Sequence, residues 1–200
     1  MSSFLEGVVI GLAVAAPVGP IGVLCIRRTL AYGRASGFVS GLGAATADAA
    51  YGSVAALGLT FVTGLLVDAE AWLRLGGGVF LVFLGVKTFL SRPAERPVAA
   101  GRGSLPGAYA STLALTLANP STILSFAAIF AGLGAADGSF TALLLVPGVF
   151  LGSTLWWFVL SGATSLLRAK LPVGALRWVN RLSGAVLAGF GLVALSGLGG

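Results

Sequence analysis

Long apolar runs dominate this chain, and they recur at the length of a membrane-spanning helix. Such a helix needs about 20 predominantly apolar residues. Six segments meet that description: Phe4–Ile26, Phe38–Leu66, Trp72–Leu90, Leu105–Ala131, Phe140–Leu167 and Leu176–Leu195. The pattern predicts an all-α integral membrane protein with six transmembrane helices, forming one domain over residues 1–200.

A polar stretch divides these segments into two groups of three. Residues 91–104 contain four charged side chains among prolines and glycines, which is typical of a flexible cytoplasmic link. The halves 1–90 and 105–200 each hold an odd number of spans, so they must insert with opposite orientations. We therefore expect two inverted three-helix repeats.

Composition excludes most other classes of protein. The chain is 57% hydrophobic and 9% charged, whereas a soluble domain carries roughly 25% charged residues. Soluble enzymes, disordered proteins and nucleic-acid-binding modules do not fit. The sequence has no histidine, and Cys25 is its single cysteine. Histidine-dependent catalysis and metal binding are therefore absent, and we expect no enzyme activity, catalytic residue, cofactor or metal site.

The charged residues indicate how the helices cross the membrane. Cytoplasmic loops collect Lys and Arg, and eleven of the twelve basic residues fall on one side of the predicted topology. They are Arg27, Arg28, Arg34, Lys87, Arg92, Arg96, Arg102, Arg168, Lys170, Arg177 and Arg181. Arg74 is the exception. This predicts a multi-pass protein of the cytoplasmic membrane with both termini outside, whose basic loops face anionic lipids. The N-terminus carries Glu6 instead of a positive n-region, so we expect no cleaved signal peptide.

One acid lies within a predicted span. Asp48 has thirteen uncharged residues before it and nineteen after it. A carboxylate at this depth costs roughly 2.5–3.5 kcal/mol, and such groups usually face a cavity or a partner. Asp48 is therefore a candidate for the transport pathway or for proton coupling. The alternative is a structural role at a helix end or in a hydrogen bond to another span.

Two further features interrupt the helical pattern in corresponding positions of the halves. Pro17, Gly19 and Pro20 break the ladder of the first span, and Asn119-Pro120 interrupts the fourth. Broken spans at matching positions indicate a transporter binding site.

The second and fifth spans can also be aligned. Laying Gly43–Asp48 over Gly152–Trp157 matches Asp48 with Trp157. Trp156 and Trp157 both lie in the middle of the fifth span. They either pack against another helix or lipid, or one of them faces the cavity as an apolar wall, an N–H donor or a cation–π surface. Small polar side chains nearby complete the candidate lining: Thr46, Ser125, Ser153 and Thr154.

The combination of these motifs resembles the LysE-type (lysine, homoserine and threonine exporter) family of bacterial inner-membrane transporters. The resemblance rests on residues 16–20 followed by Arg27-Arg28-Thr29-Leu30, on residues 38–43 with Asp48, and on Asn119-Pro120 leading into residues 123–126. It extends over nearly the whole chain and includes the number and order of the spans.

The resemblance implies a secondary exporter of amino acids or related small metabolites. We expect this exporter to work by alternating access around a site between helices one and four, with helices two and five alongside. The family's helix breaks correspond to Pro17, Gly19, Pro20, Asn119 and Pro120, and its second-span acid corresponds to Asp48. Two positions depart from the family pattern. Val18 is inserted in the first break, and Ser121 replaces a lysine that many members have, which leaves the substrate open.

The predicted substrate-binding residues are thus Pro17, Gly19, Pro20, Asp48, Asn119, Pro120 and Trp157, with Asp48 also assigned to proton coupling. Other interpretations are an exporter or channel for another small solute or ion, or a non-transporting assembly subunit. The many small residues make a homodimer a further expectation.

Overall fold

The computed structural model describes most of the apolar segments. The described residues are 3–17, 19–56, 69–91, 104–119, 122, 125–126, 139–168 and 172–196. They form helices joined by turns, without a β-strand among them. The helices are α1 Ser3–Ala15, α2 Pro20–Tyr32, α3 Arg34–Ala56, α4 Glu70–Phe89, α5 Leu105–Leu117, α6 Ser139–Arg168 and α7 Val173–Ser196.

The first predicted span is broken where its prolines are. Helix α1 ends at Ala15, helix α2 begins at Pro20, and the two helices meet at an angle of 80°. Proline lacks an amide hydrogen, so it cannot continue the ladder, but it fits the first turn of a new helix. Gly19 precedes α2 in an extended conformation. The interruption therefore matches the expectation from the sequence.

A short connection folds α2 back onto α3. Gly33 lies alone between the helices with φ 95°, a conformation that favours glycine, and its N–H donates to the Thr29 carbonyl oxygen at 3.0 Å. Arg28 then ties three helices together. Its guanidinium donates to the hydroxyls of Ser40 on α3 and Ser111 and Thr112 on α5, and to the Ala108 carbonyl oxygen, at 2.8–2.9 Å.

Helices α1 and α6 touch backbone to backbone. A Cβ atom on Gly7 would overlap the Leu145 carbonyl oxygen, and one on Gly152 would overlap the Val8 carbonyl oxygen and lie 3.0 Å from the Leu12 nitrogen. The contacts advance in the same direction along both helices, which are therefore parallel. Glycines four residues apart allow this approach between helices in a membrane, here Gly7 and Gly11 on α1 and Gly148 and Gly152 on α6.

The other helix pairs are built in a related way. Helices α3 and α5 run parallel, with Gly43 of α3 against the Tyr109 carbonyl oxygen. Helices α3 and α6 are antiparallel, since Gly41 contacts Trp157 and Gly52 contacts Val149. Helices α4 and α7 are also antiparallel and touch through two glycines of each helix: Gly78, Gly85, Gly184 and Gly191.

Two helices of the described part are long and apolar enough to cross a membrane. They contain the segments Leu144–Arg168 and Gly174–Ser196, and the bent pair α1–α2 makes a third if it is one span. The number of six spans stays a prediction. The second predicted span continues into residues 57–66 and the fourth into residues 127–131, which lie outside the described residues.

Candidate functional site

Two adjoining cavities lie at the break between α1 and α2. The larger has a volume of about 430 Å³ and the smaller about 60 Å³. They share a wall built from both predicted interruptions: Val14, Pro17, Gly19, Pro20, Ile21, Asn119 and Thr122. The larger volume is within the range of small-molecule sites, about 300–1,000 Å³.

The structure brings together six of the seven predicted binding residues. Pro17, Gly19, Pro20, Asp48, Asn119 and Trp157 all line the smaller cavity. The three residues of the first break and Asn119 also line the larger cavity. Pro120 lies outside the described residues. These placements bring the residues to one location and leave their roles as predictions.

The carboxylate of Asp48 ends a chain of hydrogen bonds. Asp48 is 3% exposed, and its Oδ2 accepts from the Ser153 hydroxyl at 2.7 Å. The Ser153 oxygen in turn accepts from the indole Nε1–H of Trp157 at 3.1 Å. The hydrogen bond from Ser153 orients the Asp48 carboxyl group between α3 and α6. The indole N–H of Trp157 is thus used within α6, and the predicted role of this side chain toward a substrate stays a prediction.

Helices α1, α2 and α5 end or begin beside the cavities. The last carbonyls of a helix and the first N–H groups of the next have no partner within the helix. The Gly19 N–H donates to the Pro17 carbonyl oxygen, and the Asn119 N–H donates to the Thr116 carbonyl oxygen, so both breaks are tight turns. Exposed amides and carbonyls at such ends suit the charged groups of a small ligand.

Sequence reasoning missed Arg74 as a lining residue. Arg74, Gly77, Gly78 and Leu81 of α4 all line the larger cavity, and their spacing places them on one face of the helix. The available signal was the charge pattern, because Arg74 is the basic residue that the predicted topology leaves on the opposite side.

The remaining candidate side chains separate into two groups. Ser125 lines the larger cavity and Ser153 binds Asp48. Thr46 instead donates to the Leu42 carbonyl oxygen and accepts from Tyr109, and the buried Thr154 hydroxyl has no hydrogen-bond partner among the described residues. Thr46 and Thr154 therefore support helix packing and do not line either cavity.

Comparisons with known proteins find relatives that match most of the chain. The chain is 30% identical over 198 residues to the Bacillus subtilis (strain 168) protein named "Putative amino acid efflux protein YcgF", covering 96% of this chain and 94% of that one. It is 29% identical over 158 residues to the "Threonine efflux protein" of Escherichia coli (strain K12), covering 71% and 72%. It is also 28% identical to the "Uncharacterized membrane protein YahN" of the same organism, covering 84% and 77%.

No solved structure gives a significant match. The family model described as "LysE type translocator" matches residues 12–197, nearly the whole chain. The chain therefore belongs to the LysE type translocator family.

Proposed function

We propose that this protein is a secondary active exporter of amino acids or closely related small metabolites. The observation that carries the proposal is the convergence of both helix interruptions, Asp48 and Trp157 on adjoining cavities. A passive bundle gains nothing from irregular backbone at membrane depth, which is tolerated where it lines a cavity. The efflux proteins among the relatives support the same direction of transport.

Repeated contacts support the inverted-repeat architecture. A Cβ atom on Gly152 would overlap the carbonyl oxygen of Val8 and lie 3.0 Å from the nitrogen four residues later on α1. A Cβ atom on Gly43 would overlap the carbonyl oxygen of Tyr109 and lie 3.0 Å from the nitrogen four residues later on α5. When Gly43 is aligned with Gly152, the contact between α3 and α5 therefore corresponds to the contact between α6 and α1.

That alignment places Asp48 and Trp157 at equivalent positions of the two repeats. The helices that carry them, α3 and α6, are antiparallel neighbours, as a twofold axis in the membrane plane requires. The axis of the proposed architecture thus runs between α3 and α6, beside the smaller cavity. A site on such an axis is open to both sides in turn when one repeat moves against the other.

In the proposed site, the substrate is bound through its own two charged groups, the carboxylate and the ammonium. The N-terminus of α2, which starts at Pro20, presents backbone N–H groups suited to a carboxylate. The N-terminus after Pro120 has the same proposed role, although it lies outside the described residues. Asp48 either pairs with the substrate ammonium or carries the coupling proton. Alternating access then exposes this site first to the cytoplasm and then to the outside.

The basic residues set the proposed orientation in the membrane. The positive-inside rule places both termini outside and the basic loops against anionic lipids of a bacterial cytoplasmic membrane. Four of these residues lie outside the described residues: Arg92, Arg96, Arg102 and Lys170. A homodimer remains a proposal that cross-linking in vesicles would test.

Efflux from proteoliposomes tests the proposal. Vesicles loaded with a mixture of amino acids are followed under a pH gradient or a membrane potential, for the native protein and for Asp48→Asn. Selective loss of one or a few amino acids, abolished or made insensitive to pH by the substitution, supports the proposal. Persistent but pH-insensitive efflux assigns Asp48 to coupling.

Glu6→Gln is the matched control, since it removes one carboxylate from α1 outside the cavity lining. We expect it to keep the native pH dependence. Unchanged efflux by Asp48→Asn would remove Asp48 from the mechanism. No efflux of any amino acid by the folded native protein would refute the proposed export function.

A further inference from the structure

Arg74 places a cationic side chain in the wall of the larger cavity. It lies in the second turn of α4, one turn before Gly77 and Gly78, which line the same cavity. Both glycines let α4 approach its neighbours. A Cβ atom on Gly78 would lie 2.9 Å from the Leu195 side chain of α7, and one on Gly77 would lie 3.3 Å from the side chain of Ala118, the residue that follows α5. The close packing holds Arg74 beside the helix breaks.

The N-terminus of α2 opens on the same cavity. Pro20, its first residue, lines the cavity together with Gly19 and Arg74. The guanidinium offers five N–H donors in a planar fork, which suits a carboxylate even when some of these donors serve other contacts. A helix N-terminus favours the same charge. The Arg74 side chain therefore points to an anionic group at this end of the site, independently of the N-terminus of α2.

The other lining residues indicate the charge and polarity of the ligand's remaining groups. Arg74 and Asp48 are the charged side chains among the described lining residues, one at each cavity. Around Arg74 the lining is mainly apolar, with Val14, Ile21, Leu81, Leu115, Phe190 and Val193. A second ammonium group on the ligand would meet no further acid within this described lining, and burying an unpaired charge is costly.

From this arrangement we infer that Arg74 binds the substrate carboxylate and that the site selects amino acids with uncharged, apolar side chains. The inference rests on the proposed export function and names the substrate class of that site. In it, the zwitterion lies with its carboxylate at Arg74 and the α2 N-terminus. Its ammonium points toward the smaller cavity with Asp48, and its side chain contacts the apolar wall.

Competition in proteoliposomes tests each part. Efflux of radiolabelled L-leucine is measured with an excess of L-valine, L-phenylalanine, L-lysine or L-leucinamide, which keeps the amine and the apolar side chain but lacks the carboxylate. We expect valine and phenylalanine to compete and lysine and leucinamide to fail. Equal competition by leucinamide would overturn carboxylate recognition, and preference for lysine would overturn the substrate class.

Substitutions at Arg74 assign the recognition to this residue. Arg74→Gln should raise the half-saturating leucine concentration at least about tenfold, because hydrogen bonds to charged groups are strong. Arg74→Lys, which keeps the charge, should raise the half-saturating leucine concentration less than Arg74→Gln does. Arg177→Gln, which removes an exposed arginine from α7, should not change it.

The two levels of the proposal fail in different ways. Saturable leucine efflux with the same half-saturation for native protein and Arg74→Gln would overturn the role of Arg74 while leaving export intact. A misfolded Arg74→Gln is recognised by size-exclusion chromatography, and the leucinamide comparison on native protein then decides the inference alone. Absence of efflux for every amino acid would overturn both the inference and the proposed function beneath it.

Discussion

Gly43 and Gly152 each lie where one helix touches the backbone of another, so Gly→Ala at either position has a defined consequence. The new Cβ atom would overlap a carbonyl oxygen, of Tyr109 for Gly43→Ala and of Val8 for Gly152→Ala. It would also lie 3.0 Å from a backbone nitrogen in both cases. Because the obstacles are backbone atoms rather than flexible side chains, the paired helices must move apart.

The expected cost follows from two opposing terms. Overpacking a close contact costs about 1–3 kcal/mol, whereas replacing glycine by alanine within a helix gains about 0.5–1 kcal/mol. We therefore expect both variants to lose up to about 2.5 kcal/mol of stability relative to the native protein, and to be about 1–3 kcal/mol less stable than a variant that shows only the gain. Gly189 of α7 is the matched control, because a Cβ atom there has no atom within 4 Å. Gly189→Ala should show only the gain in stability that comes from replacing glycine by alanine within a helix.

Cys25 supplies the assay. It is the chain's single cysteine and is 2% exposed, so a fluorogenic maleimide should react with it when heating unfolds the protein in detergent. For a chain of this size 1 kcal/mol corresponds to roughly 2–4 °C. Gly43→Ala and Gly152→Ala should thus react several degrees below Gly189→Ala at one fixed heating rate.

Two outcomes would refute the reasoning behind this comparison. If both variants are as stable as Gly189→Ala, the backbone contacts are not as close as described. If only one of them is destabilised, Gly43 and Gly152 are not equivalent, and the argument for inverted repeats loses its structural support.

Two other side chains make further predictions. Ser153→Ala removes the hydroxyl between Trp157 and Asp48, so it should lower efflux in proteoliposomes, while Ser153→Thr, which keeps a hydroxyl, should retain more of it. Equal efflux by the two variants would contradict a role for the hydrogen-bond chain. Arg28→Lys keeps the charge but cannot reproduce the planar fork that reaches four acceptors on α3 and α5. It should lower the unfolding temperature measured by tryptophan fluorescence, and an unchanged temperature would contradict this.

The sequence was most informative where a residue type has few alternatives. Two prolines and a glycine within four residues cannot continue a helix, and α1 ends at Ala15 as that pattern predicts. An isolated acid in an apolar segment needs a polar surrounding, and Asp48 has one in Ser153. Helix α5 likewise ends at Leu117, shortly before the Asn119-Pro120 pair, because a proline cannot continue the helix. Local chemistry therefore predicted the breaks and the acid.

Helix pairing was not predictable in the same way. Glycines four residues apart indicate a close approach but do not name the partner helix, so the parallel contact of α1 with α6 appears only in the structure. Arg74 was identified as an exception to the charge pattern, yet its place in the cavity wall depends on how α4 packs against α5 and α7. Such contacts join residues far apart in the chain, and periodicity along one segment does not encode them.

The structure also separates two kinds of helix contact, which bears on the proposed transport cycle. The pairs α1–α6 and α3–α5 meet through backbone atoms at glycines, so we expect each pair to move as a unit. Helices α3 and α6 meet through side chains: Trp157 lies against Gly41, Val149 lies against Gly52, and Ser153 donates to Asp48. In the proposed architecture Asp48 and Trp157 are equivalent by symmetry but differ in chemistry, so the two access states are unequal at this contact. A ligand or proton shifts a two-state equilibrium only when it binds one state better. In the proposed cycle, the pairing of an acid with an indole across the axis would provide that difference.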